Sequence, residues 1–508
     1  MKHLIICREF PPAPGGGIGT YAVNMSRLLA EHGETVHVIS QRCEQAERAC
    51  EELCGGRLIV HRVPFDDWTS LLGPKPHPAL PTGVESRLFH SNFHLQSFAW
   101  SAAILTERLV REEGIDVIEA QEYEAPLYYF QLRRALGLGP SRQPPVVVHL
   151  HSPTAMIAES NEWRTHRPSV VAASRLEEYS IRAADGILCP SRYLARGGQA
   201  YYGLPPDAID VIPYPAIGLT KLERDSRVWS GGTICYVGRL EPRKGILEWI
   251  RAAVSVAESN PDVTFDFVGK NVLGHRRRSG RAVVNGMIPK PLRPRFRFHG
   301  PQPRSAIPRF LARASIAVVP SRWENFPNTC IEAMGSGLPV IATSTGGMAE
   351  MIEDERTGWL ATSADAITDA LTRALSCSSQ RLEEMGEAAS VSIRALCDPQ
   401  KVIEQQLAVR TKFVDSGAVR SSEIPGNLNW LDPAVSERSL SLEDASSICE
   451  ITQAMITAED TGPERNGLLS QSSGVRAAIG DPIRTGGVVL GKLRGKLVRR
   501  LRRGRGPR

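Results

Sequence analysis

The sequence predicts an α/β protein of two doubly wound domains facing each other, with a C-terminal extension. Three observations carry that reading. Seven short apolar segments, His3–Cys7, Thr35–Ser40, Arg57–Val63, Asp116–Ala120, Pro145–Leu150, Gly186–Pro190 and Ile209–Tyr214, alternate with helix-like stretches, as in a parallel sheet covered on both faces. A second set, Thr233–Gly238, Val263–Gly269, Arg295–Gly300, Ile316–Ser321 and Pro339–Thr343, repeats the alternation. Roughly 400 residues divide naturally into two domains with full cores. The expected units are 1–215, 216–397, a helix over 398–415, a Ser-rich linker or partly ordered extension over 416–489, and a basic amphipathic tail over 490–508.

The first strand leads into a turn rich in Pro11, Pro12, Pro14, Gly15, Gly16, Gly17 and Gly19, then an amphipathic helix that stops at Gly33. Gly17, Gly19 and Ala22 match the spacing of a dinucleotide fingerprint. The long Pro-laden connection and a second strand that ends without an acidic residue argue against it. Asp116–Ala120 is followed by Glu122 and Tyr123, a polar rim able to read an acceptor hydroxyl or simply a solvated strand end. His149 and His151 stand two residues apart, on one face near the end of their strand. They form a conceivable metal pair, as do His90 and His94, but neither pair has the third ligand or neighbouring Glu of a zinc site, so no metal is expected.

In the second half, strand Thr233–Val237 runs into GRLEPRKG, which supplies Arg239 and Lys244. A leaving nucleoside diphosphate gains negative charge, and fixed cations stabilise that state more than the ground state. The Arg fork and the Lys point charge are complementary there, although either alone would suit a solvated turn. The stretch Pro320–Gly347 places Glu324 and Glu332 across a loop-to-helix junction. Pro320, Asn325 and Pro327 keep the loop irregular, Asn328 reads as the N-cap, and Ile331, Ala333 and Met334 give the helix its apolar side. Backbone N–H groups from Asn328 through Thr329 to Cys330 are then donors for a phosphate.

Glu324, seven intervening residues and Glu332, followed by GSGLPVIATSTGG and preceded by GRLEPRKG, resemble the retaining glycosyltransferases of family 4. The likeness spans roughly residues 1–414, with its most specific motifs between Gly238 and Gly347. It implies the GT-B fold, in which two Rossmann-like domains face each other, the first mainly on the acceptor side and the second mainly binding the nucleotide sugar. The helix Asp398–Val414 would cross back to the first domain. The resemblance assigns His151 and Glu324 to the reacting sugar, Arg239 and Lys244 to the leaving phosphates, and Glu332 to the ribose. Gly16, Gly17, Asn325, Phe326, Asn328 and Thr329 complete the donor site, and Glu122 and Tyr123 stand on the acceptor side. Reaction on one face of the sugar, with the departing phosphate helping to take the acceptor proton, would require neither an enzyme base nor a metal or cofactor. The expected function is therefore transfer of a hexose from a nucleoside-diphosphate sugar to a glycan or glycolipid, in surface polysaccharide synthesis. The same fold hosts nucleotide-sugar epimerases and sugar phosphorylases, and a catalytically silent nucleotide-sugar-binding module is a reading of another class.

Ten scattered cysteines without CxxC pairs suit a reducing, cytoplasmic setting, and no signal peptide or long apolar run is read. Two basic segments depart from a minimal family member. One, from Gly274 to Gly300, reads as either a solvated or a membrane-facing loop. The other is the tail, with nine Lys or Arg after Gly487 and Leu490, Leu493, Leu497 and Leu501 at helical spacing. Such a tail would hold the chain at an anionic membrane surface without spanning it, with an RNA-binding or simply disordered tail as the alternative; nucleic acid is not the expected partner. Gly486, Gly491 and Lys492 mimic a P-loop, but Leu493 replaces the magnesium-binding hydroxyl residue.

Overall fold

The computed structural model describes residues 1–46, 48–63, 96–135, 137–273, 279–363 and 365–418. His90, His94, Arg276, Arg277, Arg278, the extension beyond residue 418 and the basic tail lie outside the described residues. The first sheet comprises β1 (Lys2–Ile6), β2 (Thr35–Gln41), β3 (Cys50–Leu53), β4 (Leu58–Val63), β5 (Val117–Gln121), β6 (Val146–His149), β7 (Gly186–Cys189) and β8 (Ile209–Val211), in the order β3-β4-β2-β1-β5-β6-β7-β8. The second comprises β9 (Thr233–Val237), β10 (Thr264–Val268), β11 (Phe296–Gly300), β12 (Ile316–Val319), β13 (Val340–Thr343) and β14 (Gly358–Ala361), in the order β11-β10-β9-β12-β13-β14. The second order reverses direction between β9 and β12, the switch point where doubly wound sheets bind ligands.

Continuous apolar runs are what strands buried on both faces require, and alternate residues of each strand enter different cores. Leu4, Ile6, Ile118 and Val148 pack beneath the helix Gln96–Glu112 with Phe98 and Trp100. On the opposite face Val117, Val147 and Leu188 meet Val402 and Phe413 of the helix Pro399–Ser416. That helix starts on Asp398, whose carboxylate accepts from the Lys401 N–H at 2.9 Å, and it carries the chain back from the second sheet to the first. Where the chain passes between domains its two crossings touch, with Ala216 N–H donating to Cys397 O at 2.8 Å.

Four sequence readings change. The first sheet is not wholly parallel, because β3 pairs antiparallel with β4 as a short edge strand of mostly exposed residues, a pattern without an apolar signal. Strand β14 is an addition, parallel to β13, and β8 stops at Val211, short of Pro213. The described part of the basic segment is not a plain loop, because it holds the helix Gly280–Met287 and β11, and several of its guanidinium groups bond within the protein. Arg293 donates to Asn285 O and Ile288 O, Arg295 to Ala257 O, Val263 O and Asn260 O, and Arg297 to both oxygens of Asp266. Arg295 thus satisfies carbonyls at and just beyond the end of the helix Ile246–Ser259, and Arg293 those at the end of the helix Gly280–Met287.

Candidate active site

The turn after β9 tucks beneath the end of β12. Gly245 has φ +62°, and a Cβ there would lie 1.7 Å from Pro320 O, so glycine alone permits the approach. The close turn brings Lys244 onto Glu324. Lys244 Nζ pairs with Glu324 Oε1, and the same oxygen accepts from Arg243 Nη1 at 3.0 Å and Ser321 Oγ at 3.4 Å. Arg243 also donates to Trp323 O and to Glu241, and Glu241 in turn pairs with Arg239. Arg239 is the exposed end of this chain, with 62% of its side chain accessible.

Burial alone would raise the Glu324 pKa, but Lys244 and then Arg243 outweigh it and hold the carboxylate below its usual value. Burial, with Arg243 adjacent, pulls Lys244 below the usual lysine range despite the attraction of Glu324. The site thus holds an ionised carboxylate and, paired with it, a lysine whose charge depends on that carboxylate.

The helix Asn328–Gly335 begins one residue earlier than its expected cap. Pro327 is the N-cap and Asn328 the first helical residue, so the amide of Asn328 is released to reach Gly17 O of the other domain at 3.4 Å. The Cys330 N–H donates to Pro327 O, which removes it from the expected phosphate donors and leaves those of Asn328 and Thr329. Glu332 lies on the same helix and accepts from Arg304 Nη2 at 3.0 Å. Burial raises its pKa and Arg304 opposes that. Thr329 and Glu332 line a small cleft with Ile307, Leu311 and Val319, an apolar recess with one acidic wall.

From the first domain, His149 and His151 stack with ring centroids 4.5 Å apart at the end of β6. His149 donates from Nδ1 to Glu119, a buried carboxylate also held by Tyr21 and Arg410, and His151 Nδ1 lies 2.5 Å from the Tyr214 hydroxyl. Burial, with His149 alongside, drives the His151 pKa well down, so its imidazole is neutral at neutral pH. Phe326 is buried edge-on against Tyr214 at 5.6 Å. The proline-glycine loop is fixed from below: Arg62 donates to Phe10 O and Pro11 O, and Gly16 N–H donates to Glu9 Oε2 at 2.8 Å, which leaves Gly16 and Gly17 exposed toward the cleft.

Two expected ligand contacts are corrected. Glu122 is wholly buried and accepts from His151 N–H and Ser152 N–H, so it anchors the histidine loop and offers no carboxylate to an acceptor; burial lifts its pKa to about 7. Tyr123 is only half-buried, beside it. The Asn325 side chain is turned away from any donor, because it donates to His151 O at 2.9 Å and accepts from Ser191 Oγ at 2.6 Å. Asn325 thereby joins the domains. Glu350 does so as well, accepting from the Arg192 and Tyr193 N–H groups at the start of the helix Arg192–Tyr202.

Sequence reasoning missed Arg243, Arg304, Tyr214 and Glu350. A second Arg in a charged turn reads as solvated, and the others lie far in sequence from the groups they touch. The contacts nonetheless link the predicted residues into one continuous set: Arg239, Lys244, Glu324, Thr329 and Glu332 from the second domain, and His151, Gly16 and Gly17 from the first. Two cations, an ionised carboxylate and a neutral imidazole joined by these contacts have the chemistry to hold a ligand with a diphosphate at one end and hydroxyls at the other.

Comparison with known proteins gives the same picture in both domains. Residues 15–215 match the family described as Glycosyltransferase Family 4, and residues 229–391 match Glycosyl transferases group 1. The chain is 26% identical over 393 residues to the D-inositol 3-phosphate glycosyltransferase of Kribbella flavida, covering 74% of this chain and 85% of the relative. Among solved structures it resembles sucrose-phosphate synthase from Thermosynechococcus elongatus, with TM-score 0.63 and 20% identity, over 82% of this chain and 99% of that one. It also resembles HepE from Anabaena in complex with UDP, with TM-score 0.58 and 18% identity, over 81% of this chain and 100% of that one. At such identities the structural likeness shows the fold, which is GT-B.

Proposed function

The chain belongs to the family 4 glycosyltransferases of the GT-B fold, and on that premise we propose that it is a retaining, metal-independent hexosyltransferase acting from a nucleoside-diphosphate sugar onto a glycan or glycolipid. The observation that carries this reading is the set of contacts around Glu324: Lys244 pairs with it, Arg239 is joined to it through Glu241 and Arg243, and the next residue, Asn325, donates to His151 O of the other domain. Lys244 and Arg239 stabilise the charge that collects on the leaving diphosphate, where preorganised cations act most strongly. Glu324 and the neutral His151 hold the sugar by its hydroxyls from opposite domains. Glu332 takes the ribose, with the base in the recess lined by Ile307 and Leu311. Thr329 and Asn328 present N–H groups to the phosphates, and Gly16 and Gly17 cover them from the first domain. Closure of the domains excludes water and so favours transfer over hydrolysis. Tyr123 remains the acceptor-side candidate.

The names of the relatives guide the choice of substrates. HepE structures hold UDP or UDP-glucose, and the sequence relatives are named for an inositol 3-phosphate acceptor. Calorimetric titration with UDP-, GDP-, ADP- and dTDP-sugars, without metal, is the test. One donor class is expected to bind, and Glu332→Ala is expected to weaken it at least tenfold. Binding of no donor by the folded protein would overturn the transferase reading.

A place in surface polysaccharide synthesis, at the inner face of a membrane, extends the proposal and rests on the basic tail. No helix of the described residues is long and apolar enough to cross a membrane. Flotation with anionic vesicles should carry the full chain and leave behind a chain ending at residue 489. Equal flotation of the two would remove the tail from the account.

A further inference from the structure

Glu324 is bonded asymmetrically. Every donor that reaches it, Lys244 Nζ, Arg243 Nη1 and Ser321 Oγ, goes to Oε1. No donor among the described residues reaches Oε2. The carboxylate therefore turns one oxygen inward to the protein and the other outward to the cleft. Two cations on one oxygen also raise a conflict, since Lys244 is the group the proposed reaction needs at the leaving phosphate. A lysine that turned to the phosphate would leave a buried carboxylate without its nearest charge, a costly change unless another cation stays behind.

Arg243 is placed to stay. It is 8% exposed, its guanidinium reaches Glu324 Oε1, Trp323 O and Glu241 Oε1, and its fork spans carboxylates on both sides. Glu241, thus fixed, also accepts from Arg239 Nη2 at 3.3 Å. We propose that Arg243 is a positioning residue for transfer: it stays on Glu324 Oε1 and so keeps that carboxylate ionised with Oε2 toward the donor sugar, whether or not Lys244 turns to the diphosphate. Arg243 itself touches no substrate. The inference rests on the reading of Glu324 as the sugar-facing carboxylate.

Its chemistry separates the sugar from the nucleotide. The groups facing Glu324 are Arg243 and Lys244 from the turn after β9 and Ser321 from its own loop, so removal of Arg243 leaves one cation. The Glu324 pKa then rises. Because its folded value is depressed, the ionised form that binds sugar is present above that value and is lost as pH falls through it, so the loss should set in at higher pH in the variant.

The experiment is titration of wild type, Arg243→Gln and Arg243→Lys with UDP and with UDP-glucose from about pH 3.5 to 8. UDP should bind all three within about twofold. UDP-glucose should bind Arg243→Gln about tenfold more weakly, with the acid limb moved up by about one pH unit, while Arg243→Lys restores the limb. Equal weakening of both ligands, or an unmoved limb, would overturn the proposal. Should the Gln variant fail to fold, the Lys variant decides alone: weakening of UDP-glucose with UDP unchanged supports a sugar-directed role, and parallel weakening refutes it. Failure of wild type to bind any nucleotide defeats the parent reading. In that event the melting temperatures of wild type and Arg243→Lys serve instead, and a gap that does not narrow between about pH 7 and 4 refutes the pairing.

Discussion

Lys244 carries the sharpest single-residue demand in the cleft. It must be charged to stabilise a leaving diphosphate, yet it is largely buried and paired with Glu324. Burial, with Arg243 adjacent, works against that charge and Glu324 supports it, so a diphosphate must take the place of Glu324 as its partner for the lysine to stay charged on moving. Lys244→Ala should lower kcat by about 10²–10³-fold, the scale of removing one preorganised donor from a charged transition state, while donor affinity changes less than about tenfold. Steady-state kinetics beside direct binding checks it, and equal losses in both would assign the lysine to ground-state binding.

Among the elements, short helices and turns do more to build the site than the sheets that support them. Gly347, like Gly245, has no room for a Cβ, which would sit 1.8 Å from Asn325 O, so the turns after β9 and β13 both close onto the loop that carries Glu324. The helix Arg192–Tyr202 shows a reciprocal device. Its own Ser191 caps Leu194 N–H, while Glu350 of the other domain accepts from Arg192 and Tyr193 N–H. A helix start thus serves as an interdomain fastening. Glu350→Ala should cost about 0.5–2 kcal/mol, the usual worth of an N-terminal cap. Denaturant unfolding measures it, and an unchanged midpoint would show that water replaces the carboxylate without loss.

At the scale of the whole molecule, the helix Pro399–Ser416 ties the end of the described chain to the first sheet, directly behind the histidines. Arg410 is fully buried against Glu119, and Glu119 also receives Tyr21 and His149. The pair thereby links the fastening of the domains to the floor of the cleft. Arg410→Ala leaves a buried carboxylate unpaired and should cost about 3–5 kcal/mol. Calorimetry should then show the first domain melting earlier than the second, whereas a uniform shift of both would contradict a local role. The two interdomain crossings meet where Ala216 N–H donates to Cys397 O, and the domains touch again where the Asn328 side chain reaches Gly17 O.

Periodicity and spacing in the chain determined the two doubly wound halves and the strands of both sheets apart from β3 and β14, while the resemblance to family 4, in motifs rich in glycine and proline, singles out Lys244 and Glu324. These are local signals, since burial on two faces forces continuous apolar runs and a tight turn forces glycine. Tertiary structure alone decided which polar groups are spent on the protein itself. Glu122 and Asn325 carry the chemistry of ligand contacts, but the backbone of the His151 loop and the Ser191 hydroxyl occupy them; Arg243, by contrast, reads as a solvated charge and is buried at the centre of the site. The physical reason is that a hydrogen-bond partner distant in the chain leaves no periodic trace in sequence, although burial makes that partner obligatory once the chain is folded.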